Sequence, residues 1–184
     1  MFAAHLKEAG DLLARMRVVG PEFVRAVDAI SAAVANRCGP ILIAGNGGSA
    51  ADAMHFAAEL VGRFEIDRHG YAAIALSDPA ILTAVANDYG FEQVFARQVR
   101  AHGEPGGVFI GFSTSGESNN ILKAIDAARE KEMTTIAFTS ERGVLRAIAD
   151  IALVVPSINT AHIQEMHVVL YNAICRAVDG IKLR

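Results

Sequence analysis

Residues 41–60, ILIAGNGGSAADAMHFAAEL, decide the fold. Ile41 to Ala44 form a short apolar run, the pattern of a strand buried on both faces. Gly45, Asn46, Gly47 and Gly48 interrupt it, and from about residue 50 to 64 the composition turns helical. A strand, a glycine-rich turn and a helix in so short a span open a unit of alternating strand and helix.

The alternation continues downstream. Ala72 to Leu76, Val108 to Phe112, Thr135 to Phe138 and Ile151 to Val155 are further candidate strands, and helical segments lie near 79–86, 91–101, 118–131, 143–149 and 160–179. Strand and helix in turn predict the α/β class, a doubly wound parallel sheet covered by helices on both faces. Upstream, Leu6, Leu12, Leu13 and Met16, then Phe23, Val27, Ile30 and Val34, recur at helical spacing on either side of Gly20-Pro21. That pattern predicts an N-terminal helical hairpin. With 184 residues and no low-complexity linker, the chain reads as one domain, 1–184, made of a hairpin over 1–38 and an α/β core over 39–184.

Composition narrows the partners. A net charge of −3 supplies no global attraction to nucleic acid or an anionic membrane, so a small molecule is the expected ligand. No run of apolar residues is long enough to span a bilayer, and the N-terminus carries Lys7, Glu8 and Asp11 where a signal peptide would be apolar. Cys38 and Cys175 stand far apart with no metal-type spacing, which suits a reducing compartment. A cytoplasmic protein is expected.

In a parallel sheet every strand delivers its following loop to one edge, and ligands bind there, where the strand order reverses. The loops at that edge are Gly45 to Ser49, Ser77-Asp78, Ser113 to Ser118 and Thr139-Ser140. Ser113, Thr114, Ser115 and Ser118 put four hydroxyls at the start of a helix, where free N–H groups and the helix dipole favour a phosphate. Simple helix capping is the alternative for such residues. The loop lacks the lysine of a P-loop, which disfavours a nucleoside triphosphate. The Gly45–Ser49 loop lacks the third glycine of a dinucleotide fingerprint, so it is read as a close-approach turn for a ligand or as a structural turn alone.

On the following helix His55 and Glu59 are four residues apart and share a face. Such a pair can hold a metal or handle a proton, and can equally be a solvated surface pair. In the last helix Gln164, Glu165, His167 and Asn172 interrupt an otherwise apolar sequence, where they serve a site or pair internally.

Taken together, AGNGGSAADAMHFAAELVGRF, LTAVANDYGFEQVFARQV, STSGESNNILKAI and IQEMH resemble the phosphoheptose isomerases, a branch of the sugar-isomerase or SIS-domain fold. The resemblance implies interconversion of sedoheptulose 7-phosphate and D-glycero-D-manno-heptose 7-phosphate through an enediol, for lipopolysaccharide or another surface glycan. It implies that Ser49, Ser113, Thr114, Ser115 and Ser118 hold the phosphate, with Asn46, Gly47, Asp88, Gln164 and Arg63 nearby, Arg63 within reach from a neighbouring subunit. It further implies zinc on His55, Glu59 and Gln164, with Glu59 as catalytic base, and a homotetramer with sites at its subunit interfaces.

The departure from the family falls in the last helix. Eight residues after Gln164 stands Asn172, where the isomerases carry a histidine that ligates metal and moves protons. Asparagine neither titrates near neutral pH nor matches imidazole as a zinc ligand. Its presence at this catalytic position resembles a non-catalytic branch that associates with the bacterial replication initiator, although that branch lacks the glutamate present here as Glu59. His162 is a second departure, where relatives usually carry arginine.

Overall fold

The computed structural model describes residues 1–181. Eight α-helices and five strands follow in the order α1 (Phe2–Arg15), α2 (Gly20–Asn36), β1 (Ile41–Ala44), α3 (Gly48–Val61), β2 (Ala73–Ala75), α4 (Pro79–Tyr89), α5 (Val94–His102), β3 (Val108–Ser113), α6 (Asn119–Glu130), β4 (Thr134–Ser140), α7 (Leu145–Ile148), β5 (Ile151–Val155) and α8 (Thr160–Val178). All five expected strands form, and they pair in parallel in the order β2-β1-β3-β4-β5.

The strands read as apolar runs because both their faces are buried. On β1, Ile41 and Ile43 join one core with Phe56 and Leu60 of α3, Ile30 of α2 and Ile174 of α8. Leu42 and Ala44 point the other way, into a core with Val99 of α5, Ile121 of α6 and Leu145 of α7. Two-faced burial of this kind leaves no polar alternation to read. Each fully buried Ile, Leu or Phe contributes roughly 1.5–3 kcal/mol relative to exposure.

The N-terminus differs from the expected hairpin. Arg15, Met16, Val19 and Gly20 all have right-handed helical dihedrals, and a 3-10 turn over Met16–Val19 carries α1 into α2. Gly20 and Pro21 do not reverse the chain, because proline is tolerated in a helix's first turn, where its missing N–H has no partner to lose. Arg15 donates to the Pro156 carbonyl beyond one end of β5, and Arg25 to the Asp150 carbonyl before its other end. The two helices therefore pass the strand in one direction as a long arm.

The strand order reverses between β1 and β3, the position where doubly wound sheets bind ligands. The loops that leave β1 and β3 flank that crevice.

Candidate active site

The β1 loop is shaped by its glycines. A side chain at Gly45 would stand 2.4 Å from the Ser49 carbonyl oxygen, and Gly47 has φ of 55°, in the left-handed region. These conditions fold the chain tightly enough to bury Ser49 at the start of α3. Across the crevice, Asn46 and Asn120 exchange side-chain hydrogen bonds at 2.9 and 2.8 Å, which ties the two loops together.

The serine loop is a hydroxyl cluster. Ser113 Oγ lies 2.9 Å from Ser118 Oγ and 3.4 Å from Ser115 Oγ, and the Gly116 and Glu117 N–H groups donate to Ser113 and Ser115. Ser118 occupies the N-cap position of α6, yet its side chain makes no capping hydrogen bond. Side-chain capping of α6 therefore does not account for the Ser118 hydroxyl. The loop is braced from β4: Thr139 Oγ1 donates to the Ser113 carbonyl and Ser140 Oγ to that of Thr114, which fixes Thr114 through its backbone. Gly116 is required here, since its φ is 68° and a side chain would meet the Arg142 carbonyl oxygen at 2.3 Å.

On α3, His55 Nε2 lies 3.1 Å from Glu59 Oε1, so the pair seen in sequence forms. The His55 Nδ1 is hydrogen-bonded to the Tyr171 hydroxyl of α8 at 2.8 Å. A neutral imidazole with Nδ1 accepting carries its hydrogen on Nε2, the atom that faces Glu59. The Tyr171 ring stacks on Phe56, with centroids 5.4 Å apart, so the aromatic core holds the hydroxyl in place. One turn before His55, Asp52 is half-buried with Oδ2 unpaired, and burial pushes its pKa up to about 6 against the opposing effect of His55. Burial likewise raises Tyr171 to about 12, so its hydroxyl keeps its proton.

Gln164 reaches the start of α3 from α8. A side chain added at Gly48 would lie 2.6 Å from its amide nitrogen, so the missing Cβ of Gly48 makes the room that Gln164 occupies. Asn172, next to Tyr171, is half-buried and makes no side-chain hydrogen bond among the described residues. His167 is fully buried between Phe112 and Phe138, and burial lowers its pKa to about 4, which holds it neutral in the core.

Two of the expected site residues are not brought into this group within one chain. Arg63 is exposed beyond the end of α3, and Asp88 is exposed near the far end of α4, where it accepts from Asn87. Helix α4 starts at Asp78 on the carboxyl edge and runs away from it, which carries Asp88 about 15 Å along the helix at 1.5 Å per residue.

Sequence reasoning missed Tyr171 and Asn120. Asn120 was signalled by its place just after the serine loop. Tyr171 was not, because it reads as one more apolar position in α8. A cluster of histidine and carboxylate groups was also missed: His5, His162 and Glu165 bring their donor atoms within 4.8 Å of one another. No helix among the described residues is long and apolar enough to cross a membrane.

Comparison with known proteins identifies the family. A family model described as the SIS domain matches residues 4–140. The phosphoheptose isomerase of Bordetella avium is 47% identical over 186 aligned positions, which span 98% of this chain and 94% of that protein. Among solved structures, phosphoheptose isomerase GmhA from Neisseria gonorrhoeae superposes with a TM-score of 0.91 at 41% identity, covering 98% of this chain and 97% of that one. A phosphoheptose isomerase from Francisella tularensis gives 0.92 at 36% identity, covering 97% and 96%.

Proposed function

The chain belongs to the phosphoheptose isomerases of the SIS-domain family, and on that premise we propose how its own residues interconvert sedoheptulose 7-phosphate and D-glycero-D-manno-heptose 7-phosphate. The observation that carries the reading is the Glu59, His55 and Tyr171 chain between α3 and α8, in a fold that also gathers the Ser113, Ser115 and Ser118 hydroxyls at the end of β3.

Ser113, Thr114, Ser115 and Ser118, with the N-terminus of α6, bind the phosphate; Ser49, Asn46 and Gly47 line the facing loop. That anchorage holds the sugar's other end against α3, which converts proton transfer into a positioned step. Exchange between ketose and aldose passes a hydroxyl proton between O1 and O2 and, through an enediol, one carbon-bound proton between C1 and C2. Glu59 takes the latter from one carbon and returns it to the other, so a single carboxylate serves both half-reactions. Tyr171 fixes the His55 ring, and His55 in turn orients Glu59. Gln164 and Asn172 present amides to the same region and can hydrogen-bond the sugar hydroxyls.

The donor set suits zinc. His55 Nε2 and Glu59 Oε1 are separated by 3.1 Å, close to the ligand spacing of about 3.3 Å in a tetrahedral site with bonds near 2.0–2.1 Å. The Tyr171 contact is the outer hydrogen bond that ligating histidines usually make. His55, Glu59 and Gln164 would hold the ion, which supplies electrophilic stabilisation of the developing oxyanion. Tyr171 would then accept from His55 Nδ1–H, since the bound nitrogen gives up its proton.

We take 1–184 as one domain acting in a homotetramer. The 1–38 arm leaves Phe2, Leu6, Leu13, Val18 and Val24 exposed for subunit contact. In that assembly Arg63 reaches a neighbouring subunit's site. The free thiols Cys38 and Cys175 suit the cytoplasm, and a surface-glycan heptose pathway is the expected destination.

Asn172 favours a second reading, sugar-phosphate binding without turnover, as in a regulatory protein. Turnover of sedoheptulose 7-phosphate with and without added zinc decides between them. Glu59→Gln should nearly abolish turnover while phosphate affinity stays within a few-fold. A wild type that binds substrate and never turns it over would replace the catalytic reading with the regulatory one.

A further inference from the structure

We infer that His167 is a positioning residue for the phosphate loop: its buried ring N–H is directed at the Thr139 carbonyl, at the end of the strand that braces Ser113 and Thr114. The role rests on the serine loop being the phosphate site, and it adds to that site a residue of α8 that touches no substrate.

His167 is 0% exposed, on a helix whose other inward positions include the apolar Ile163, Met166, Leu170 and Ile174. Leucine would fill such a slot with no polar atom to desolvate. An imidazole always keeps at least one N–H, and burying that group unpaired is costly. Phe112 and Phe138 meet the ring edge to face, with centroids at 5.5 and 5.7 Å and interplanar angles of 66° and 87°. They fix the plane in which the nitrogens point and offer them no acceptor.

Those two phenylalanines are paired across β3 and β4, and the next pair in register is Ser113 with Thr139. The ring therefore lies beside the last residues of both strands. Neither of its nitrogens has a hydrogen-bond partner among the described residues, and the Thr139 backbone is the group that opposes the effect of burial on the ring. It does so by favouring the protonated ring, which is the action of an acceptor, the carbonyl. A small shift of the ring closes this contact and relieves the unpaired N–H.

From Thr139 the connection runs on to the loop. Thr139 Oγ1 donates to the Ser113 carbonyl at 2.9 Å and Ser140 Oγ to the Thr114 carbonyl at 2.8 Å, while Ser113 Oγ meets Ser115 and Ser118. His167 follows Gln164 by three residues, so the helix that brings Gln164 to the start of α3 also props the strand behind the phosphate loop.

Calorimetric titration of the full-length chain with inorganic phosphate, beside steady-state kinetics on sedoheptulose 7-phosphate, is the test. His167→Leu should bind phosphate about 3- to 10-fold more weakly, the net worth of one hydrogen bond. KM should rise by a similar factor with kcat within about two-fold, since the lost interaction serves ground state and transition state alike. His167→Asn and His167→Gln return an N–H near the places of Nδ1 and Nε2, and one of them should recover the affinity that the other lacks. Thr139→Val deletes the next bond of the chain, so adding His167→Leu to it should weaken phosphate binding little further. If His167→Leu does not fold, the two amide variants decide, and equal affinities for them overturn the role. Wild-type phosphate affinity in a folded His167→Leu, or full additivity with Thr139→Val, also overturns it, and leaves the phosphate site standing provided that Ser118→Ala binds phosphate more weakly. Unchanged binding in Ser118→Ala removes the phosphate site and the role of His167 together.

Discussion

The Tyr171 hydroxyl is hydrogen-bonded to His55 Nδ1 across 2.8 Å, joining the last helix to the helix that follows the glycine loop. The bond sets which nitrogen of His55 faces Glu59, and the stacked Phe56 ring holds it there. Tyr171→Phe keeps the ring and deletes the bond. Its stability should fall by only about 0.5–1.5 kcal/mol, the net worth of one hydrogen bond. Zinc affinity or kcat should fall about 10- to 100-fold, with phosphate binding little changed. Kinetics and zinc titration that match wild type would show that His55 needs no such partner.

Ser118 shares its hydroxyl contact with Ser113 rather than capping α6. Ser118→Ala should therefore weaken substrate binding while leaving the helix intact. A hydrogen bond to a charged group contributes about 1.5–3 kcal/mol, or roughly 10- to 150-fold in KM. Steady-state kinetics alongside circular dichroism would check both halves, and an unchanged KM would remove Ser118 from the phosphate site.

Asp179, just past α8, is 2% exposed and receives the N–H groups of Glu65 and Ile66 and the Arg68 guanidinium. Burial by itself would push this carboxyl up, but those three donors outweigh it and its pKa is lowered. A depressed folded pKa means that the stabilisation is complete above the unfolded value, about 3.9, and is lost as pH falls through the folded one. Asp179→Asn should cost about 3–5 kcal/mol near neutral pH, because it leaves Arg68 buried without its charge partner. The variant's stability should also depend less on pH below about 4. Denaturant melts across that range would test this, and parallel acid limbs for the two proteins would count against it.

Asn172 stands half-buried beside Tyr171 without a side-chain hydrogen bond among the described residues. Asn172→His should tighten zinc binding and raise turnover, with the 10² to 10⁴-fold typical of a positioned acid or base as the ceiling. If the rate stays level while zinc binds more tightly, Glu59 carries the proton transfer unaided.

Much of this molecule was legible from residue order because its parallel sheet is buried on both sides. Five apolar runs separated by polar loops have few other solutions, and the connecting loops then fall at one edge. Ser113 to Ser118 and Gly45 to Ser49 were found that way; Gly45, Gly48 and Gly116 leave no room for a side chain, whereas Gly47 has open space around it and is needed for its positive φ. The N-terminal arm was misread because Gly20-Pro21 looks like a turn, while proline at a helix's first turn is compatible with continuing in the same direction.

By itself, then, the sequence determined the strands, the edge that carries the loops, the hydroxyl cradle and the His55 and Glu59 pair, all features set by neighbours within one or two helical turns. Only the tertiary structure decided that Tyr171 supports His55 across 116 residues, that Asn46 meets Asn120 across 74, and that His5 reaches Glu165 across 160. It also decided that Arg63 and Asp88 stay outside the site within one chain. Periodicity reports which face of an element is buried, and it carries no information on which distant side chain will lie against that face. That choice is made when α1, α3, α6 and α8 pack on the common sheet.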